Sequence, residues 1–344
     1  MKAAQLTDIH KMKVREVPAP TLNSPDDVLI RIHSVGVCGS DIHYFSTGRI
    51  GSQVVQFPFT IGHECAGVVE EVADGATNVK PGDRVAIEPA VYCHNCDQCN
   101  AGRENTCRNL KFLGCPGQLS GALSEYLVMP EECCLKIPDN MSFEAAALCE
   151  PLAIGIYAAR QYMSLNGKNI AILGAGPVGL SILLAALAEG ADNVYVTDKL
   201  DYRVQAAREN GAVWAGNPDK TDIVKEISSE QPLLLDAVFE CCGRQEALDQ
   251  GLELLKPGGR LMLVGIPEFD KYNFAADIAR RKELCFQNVR RQNDCTEDAI
   301  KYTADRTIDT SFMATHHFDL DEIQKACELV ENYDDKVIKA MIRL

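Results

Sequence analysis

Residues 169–198 read NIAILGAGPVGLSILLAALAEGADNVYVTD. Asn169 to Leu173 is a short apolar run that predicts a buried strand. Gly174-Ala175-Gly176-Pro177-Val178-Gly179 follows, and then an apolar helical run from Leu180 to Ala188. Val194 to Thr197 predicts a second strand, ending on Asp198 nineteen positions past Gly179. A glycine pattern alone is weak evidence. Between a strand and a helix, with an acidic residue at that distance, it is the dinucleotide-binding fingerprint. Gly174 permits the tight turn, Gly176 lets the backbone approach a pyrophosphate, and Gly179 lets the helix pack close to the strand. The helix N-terminus offers unpaired N–H groups and partial positive charge to the phosphates. Asp198 is placed to accept from ribose hydroxyls and would repel a 2′-phosphate, which favours NAD over NADP. Arg203 is a guanidinium that could instead accept that phosphate, or simply cover the adenine or ribose edge.

The same alternation continues downstream. Ala237-Val238-Phe239-Glu240 predicts a strand, Gln245 to Leu255 a helix, Lys256-Pro257-Gly258-Gly259 a turn, and Arg260 to Gly265 a further strand. Such β/α alternation predicts an α/β domain, a doubly wound parallel sheet with helices on both faces, over 149–281. Upstream the pattern is different. Val28 to His33 and Glu64 to Val72 read as short strands, and Pro81-Gly82-Asp83 is a turn before the strand Arg84 to Ile87. Short strands without long helices predict an irregular β barrel or sandwich over 1–148. Ser142 is a plausible N-cap for a helix that begins there. Past 282, Glu283 to Val289 is strand-like, an amphipathic helix runs to Val330, and Lys336 to Ile342 closes as a strand. That tail shares the composition of the first part, so 282–344 is expected to return to it.

With 344 residues, two domains are expected. Lys and Arg number 34 against 49 Asp and Glu, a net charge of −15, which argues against nucleic-acid and anionic-membrane partners. No apolar run approaches the roughly 20 residues of a membrane span, and Met1 to Lys13 does not resemble a signal peptide. The expected location is a reducing cytoplasm.

The 15 cysteines are odd in number and clustered, which in such a compartment points to metal rather than to a disulfide framework. Cys93, Cys96 and Cys99 stand at three-residue steps, and Cys107 follows after a short loop. Four thiolates close a tetrahedral shell and leave no open position, so a zinc ion in this lobe, near 91–108, is expected to be structural. Cys38 and Gly62-His63-Glu64 offer sulfur, imidazole and carboxylate, all accepted by zinc. Glu150, in an apolar helical setting, is either a helix-end feature or a functional group. Cys65, Cys115, Cys285 and Cys327 read as small buried hydrophobes. His10, His33, His94, His316 and His317 have no motif around them.

Taken together, these residues make the chain resemble a zinc-dependent medium-chain dehydrogenase over essentially its whole length. The carrying motifs are Gly36-Val37-Cys38-Gly39-Ser40-Asp41, Gly62-His63-Glu64-Cys65-Ala66-Gly67, the four-cysteine lobe and the nucleotide fingerprint. His43-Tyr44-Phe45, Gly48-Arg49-Ile50-Gly51, Ile87-Glu88-Pro89 and Glu150-Pro151-Leu152 are most similar to the polyol (sorbitol/xylitol) subgroup. The resemblance implies a GroES-like irregular β catalytic domain and a Rossmann nucleotide domain. It implies a catalytic zinc on Cys38, His63 and a carboxylate, either Glu64 or Glu150, and a structural zinc on Cys93, Cys96, Cys99 and Cys107. Relatives of this kind ligate through the residue matching Glu64, while the one matching Glu150 acts through bound water. Ser40 and His43 would carry the proton away, with Glu150 as a further catalytic group. Tyr44 and Glu150 would contact substrate hydroxyls, and Arg290 would reach substrate or cofactor. Arg291 departs from a common aromatic, and the arginine pair would suit a carboxylate or phosphate, a subunit interface or the pyrophosphate. Gly174, Gly176, Pro177, Val178, Gly179, Asp198, Arg203, Val264 and Gly265 would face the cofactor. The implied reaction is hydride transfer from a polyol to NAD+, giving the ketose. The alternatives are a sugar-acid, sugar-phosphate or threonine dehydrogenase, and a catalytically silent zinc- and NAD-binding protein. A homotetramer or homodimer is implied as well.

Overall fold

A computed structural model describes residues 1–161 and 164–344. The chain forms two compact units, 1–150 with 296–344, and 151–295.

The first unit is organised by the strand Asp27–Gly36, which alternates buried and exposed side chains along most of its length. One edge pairs with Glu64–Val72, through register shifts at Leu29/Ile30 and Ile32/Ser34. The other edge is divided, its first half taken by Tyr126–Pro130 and its end by Lys339–Arg343. Arg84–Ile87, Cys134–Lys136 and Ala314–Asp319 complete a seven-stranded sheet. Ile30, Ile32, Val35, Phe45, Ile61 and Leu123 fill its core. The tail is tied in by side chains as well as by pairing. Thr296 donates to Glu88, and Arg343 donates to Glu144. Ser142 caps the short helix Phe143–Ala147 by accepting from the Ala145 N–H at 3.1 Å. Phe143 in that helix stacks on His33 at 4.4 Å between ring centroids.

The second unit holds a six-stranded, all-parallel sheet. In spatial order it runs Trp214–Gly216, Asn193–Thr197, Asn169–Leu173, Leu235–Glu240, Leu255–Leu263, Cys285–Asn288. The order reverses between Asn169–Leu173 and Leu235–Glu240, the switch point at which doubly wound sheets bind ligands.

Three expectations need correction. The boundaries lie at 150 and 295, not 148 and 282, because Cys285–Asn288 is the sixth strand of the parallel sheet. Glu150 therefore belongs to the first unit. Lys256-Pro257-Gly258-Gly259 is no turn between elements. It is an excursion inside the strand Leu255–Leu263, where pairing with Leu235–Glu240 slips from Leu255 to Arg260. Cys65, Cys115 and Cys327 are buried, but Cys285 is exposed on the sheet's edge strand. Among the described residues no helix is long and apolar enough to cross a membrane.

Candidate metal centre and cofactor rim

The helix Gly39–Thr47 starts where the strand Asp27–Gly36 ends, with Cys38 as its N-cap. Asp41, buried in its first turn, accepts from the Cys38 N–H at 3.0 Å and the Gly62 N–H at 3.1 Å. It also lies 3.6 Å from His63 Nδ1. One carboxylate thus fixes the backbone of both segments and faces the histidine ring. Gly62 has φ +97, and a Cβ there would meet Leu123 and Val35 at 3.0 and 3.1 Å, so a side chain would be strained and crowded just before His63. Gly36 is required for another reason. A Cβ on it would sit 2.2 Å from a Glu64 carboxylate oxygen.

Cys38, His63 and Glu64 meet here, with one ligand atom from each within 4.8 Å of the others. His63 and Glu64 are buried and Cys38 is partly so. Glu150 is buried in the first turn of the helix Cys149–Arg160 but lies outside that set. Burial pushes its carboxyl up to about 8, with His63 opposing and Glu64 and Glu88 adding. Burial works against a charged His63, yet Asp41 and Cys38 outweigh it and raise the imidazole well above its ordinary range. Asp41, Glu64 and Glu150 bring three carboxyl groups to this pocket, balanced by His63 and Lys339. A thiolate, an imidazole and a carboxylate form a donor set that fits zinc with a position to spare.

Sequence reading missed Lys339. Its ammonium is 1% exposed and lies 2.7 Å from both carboxylate oxygens of Glu64, with a third bond to Val37 O at 3.3 Å. It comes from the last strand, Lys339–Arg343, far along the chain from Glu64. The otherwise unbroken apolar run around it, Val337 to Ile342, was the available signal, because a lysine within a buried strand demands a counter-charge.

Ser40 and His43 are half-buried on the same helix, and Tyr44 is buried. The Tyr44 hydroxyl is 3.4 Å from Gln53 Oε1 and 3.8 Å from Cys115 Sγ, contacts that sequence gave no reason to expect. Histidines without motif context take ordinary places. His10, His94, His316 and His317 pair with Glu331, Glu132, Asp335 and Glu144.

The four-cysteine lobe assembles as expected from its spacing. The Cys93–Cys107 and Cys96–Cys99 sulfurs are 3.4 and 3.5 Å apart, and Cys96–Cys107 4.0 Å. These are far beyond a disulfide bond, and near the edge of a tetrahedron with zinc–sulfur distances of about 2.3 Å. Hydrogen bonds led by the Asn95 backbone bring the Cys93 thiol down to about 6, while burial lifts Cys99 to about 12. All 15 cysteines are free.

In the second unit the helix Pro177–Ala188 begins at Gly176, with Gly179 packed so that a Cβ would strike Gly174 O. Asp198 accepts from the Ala175 N–H at 2.8 Å and the Leu200 N–H at 2.9 Å, which secures the glycine turn to the end of the second strand. Arg203 is largely buried, with a guanidinium nitrogen 3.5 Å from where a Gly176 Cβ would stand. Val264 and Gly265 follow the strand Leu255–Leu263. Arg290 and Arg291 follow the last strand of this sheet, outside the catalytic unit.

Residues 24–139 match the alcohol dehydrogenase GroES-like domain, and residues 177–310 the zinc-binding dehydrogenase family. A sorbitol dehydrogenase of Bacillus subtilis is 36% identical over 99% of this chain and 97% of its own. The chain belongs to the zinc-dependent medium-chain dehydrogenases. An L-idonate 5-dehydrogenase of Vitis vinifera is also 36% identical, over 92% of this chain and 87% of its own. A solved Escherichia coli oxidoreductase/dehydrogenase of unknown specificity superposes with a TM-score of 0.94 at 33% identity, covering 99% of this chain and 98% of that one. The two units are accordingly the GroES-like and Rossmann parts of a medium-chain dehydrogenase.

Proposed function

We propose that this enzyme oxidises a secondary alcohol of a polyol, of the sorbitol or xylitol type, to the ketose with NAD+ as acceptor. The observation that carries this reading is the buried meeting of Cys38, His63 and Glu64, in a chain similar from end to end to a sorbitol dehydrogenase. A zinc ion held by these residues would supply Lewis acidity toward an alcohol oxygen, and a bound nicotinamide would accept the hydride.

The protein side chains do the rest. Asp41, facing Nδ1, leaves Nε2 of His63 as the ligating nitrogen. Glu64 is the third ligand, supported by its place in the set, and Glu150 is the carboxylate on the substrate side. Ser40 and His43 carry the alcohol proton outward, and Tyr44 with Glu150 holds hydroxyls beside the reacting carbon. Cys93, Cys96, Cys99 and Cys107 hold a second, structural zinc. Gly174, Gly176, Pro177, Val178, Gly179, Val264 and Gly265 line the cofactor, with Asp198 and Arg203 at its ribose. Asp198 supports NAD over NADP, since a 2′-phosphate would meet a carboxylate.

A second reading, oxidation of a sugar acid, is favoured by the equal identity to an L-idonate 5-dehydrogenase. The pair Arg290 and Arg291 would then meet the carboxylate. The free thiols suit a reducing cytoplasm. The edge strand Cys285–Asn288, paired on one side only, supports a homodimer or homotetramer. An NADH-absorbance screen across polyols, aldonates and phosphorylated polyols, with and without chelator, tests both readings. Chelator-sensitive turnover of sorbitol or xylitol is expected. Turnover confined to aldonates establishes the second reading, and no turnover of any alcohol overturns both.

A further inference from the structure

Glu240 closes the strand Leu235–Glu240 at the switch point of the parallel sheet and is fully buried. A carboxylate there must be engaged, and its Oε1 accepts from the N–H groups of Cys242 at 2.8 Å, Gly243 at 2.7 Å and Arg244 at 3.4 Å. Its main-chain oxygen accepts from the N–H groups of Val264 and Gly265, each at 2.9 Å. One residue therefore gathers five amides from the two turns that follow neighbouring strands.

Those turns are packed against each other and against the glycine turn of the fingerprint. A Cβ on Gly265 would fall 2.3 Å from Gly243 N, and one on Gly174 3.2 Å from the Cys241 backbone and the Cys242 Cβ. Gly243 holds φ +64 and would meet Ile266 O at 2.4 Å if it carried a Cβ. With no slack between the three turns, moving the 242–244 amides moves the surfaces around Gly174 and Gly265 too. Glu240 Oε2 has no hydrogen-bond partner among the described residues. Burying such an oxygen is unfavourable, so a purely stability-driven choice at this position would be an amide or an apolar residue. What the side chain contributes at this position is therefore the acceptor Oε1, which an amide oxygen would also supply.

We propose that Glu240 is a positioning residue for the dinucleotide, shaping the rim between the strands Asn169–Leu173 and Leu235–Glu240 without touching the cofactor. This rests on the reading of that rim as the NAD(H) site. What matters is a strong acceptor at Oε1 at this chain length. Glu240→Gln keeps that acceptor, Glu240→Asp keeps the charge but withdraws the oxygen by one methylene, and Glu240→Ala removes it.

The test is NADH titration by fluorescence on the zinc-loaded enzyme, alongside steady-state kinetics and zinc content. Glu240→Gln is expected within about threefold of the parent Kd, and Glu240→Asp and Glu240→Ala weaker by about tenfold or more. KM for NAD+ should rise with them, while KM for the alcohol and the zinc content stay unchanged. Should Glu240→Ala not fold, the comparison of Gln with Asp decides. Glu240→Asp binding NADH like the parent, or Glu240→Gln as weak as Glu240→Asp, would overturn the proposal. A parent enzyme that binds neither NADH nor NADPH would instead remove the reading on which it rests.

Discussion

The two thiol-bearing clusters of the catalytic unit are built on opposite plans. The lobe takes four like ligands from residues 93–107, and their spacing alone brings the sulfurs to 3.4–4.0 Å. The other candidate centre offers three unlike donors from two segments, Cys38 and the adjacent His63 and Glu64, and Asp41, Gly36, Gly62 and Lys339 hold them. A closed shell of four thiolates suits an ion that stays in place. A mixed set with an open position and a mobile charge balance suits one that handles substrate. Donors from one short loop suit a staple, and donors brought together by the fold suit a reactive site.

The sharpest way to break that comparison is to remove one sulfur from each cluster. Cys38→Ser should lower kcat/KM by about a thousandfold or more, because Lewis acidity supplies several kcal/mol of transition-state stabilisation. It should leave the lobe metal in place and the melting temperature nearly unchanged. Cys99→Ser should do the reverse. Its melting temperature should fall by about 6–12 °C, as expected for loss of roughly 3 kcal/mol in a unit of this size. The fraction that remains folded should keep most of its kcat. Metal content by emission spectroscopy, with calorimetry and initial rates, reads both. Equal loss of rate in the two variants would mean that the division into staple and reactive centre is wrong.

The next test concerns Lys339 alone. Among the described residues its ammonium is the cation paired with Glu64, at 2.7 Å from both oxygens, and both groups are 1% exposed. Lys339→Met leaves a buried carboxylate without its counter-charge, which costs about 3–5 kcal/mol when no ion replaces it. With zinc at Cys38, His63 and Glu64 the metal supplies that charge, and the cost should be clearly smaller. Denaturant unfolding of parent and variant, each with and without chelator, isolates this term because loss of the lobe metal is common to both. An equal penalty in the two conditions would show that Lys339 is structural only.

Lys339 also marks where sequence reading stops. The fingerprint from Gly174 to Asp198 and the four-cysteine lobe are local, so residue order already contains their geometry. His63 and Cys38 could be picked out because a metal site needs those donor types. The apolar run around Lys339 signals that a counter-charge is needed but not which one, because Glu64 lies 275 positions away and pairing of the strand Lys339–Arg343 with Asp27–Gly36 is what delivers it. Cys285–Asn288 was misplaced for the same reason. A short strand shows in its composition, but which sheet it joins depends on its partner, Leu255–Leu263. Lys256–Gly259 failed differently, because its turn-forming residues are spent on an excursion within one strand.

The smallest expected effect lies at the surface tie that closes the tail over the helix leading to Glu150. Arg343 donates to Glu144 at 2.8 and 3.0 Å, and His317 lies 3.1 Å from the same carboxylate. Burial raises the Glu144 carboxyl, but Arg343 and His317 outweigh it and hold the group below its usual 4.5. A depressed folded pKa contributes stability that is complete above 4.5 and is lost as pH falls through the lower folded value. Arg343 is more than half exposed, so solvent screening limits the pair to about 0.5 kcal/mol. The helix has a stronger anchor in Phe143, held between the His33 ring and the Arg84 guanidinium at 4.4 Å each. Arg343→Ala should therefore lower the melting temperature by only about 1–2 °C at neutral pH, leave kcat alone, and lose even that difference once the pH falls through the lowered Glu144 value or in high salt. A change in kcat would mean that the tie, rather than the Phe143 sandwich, sets the position of Glu150.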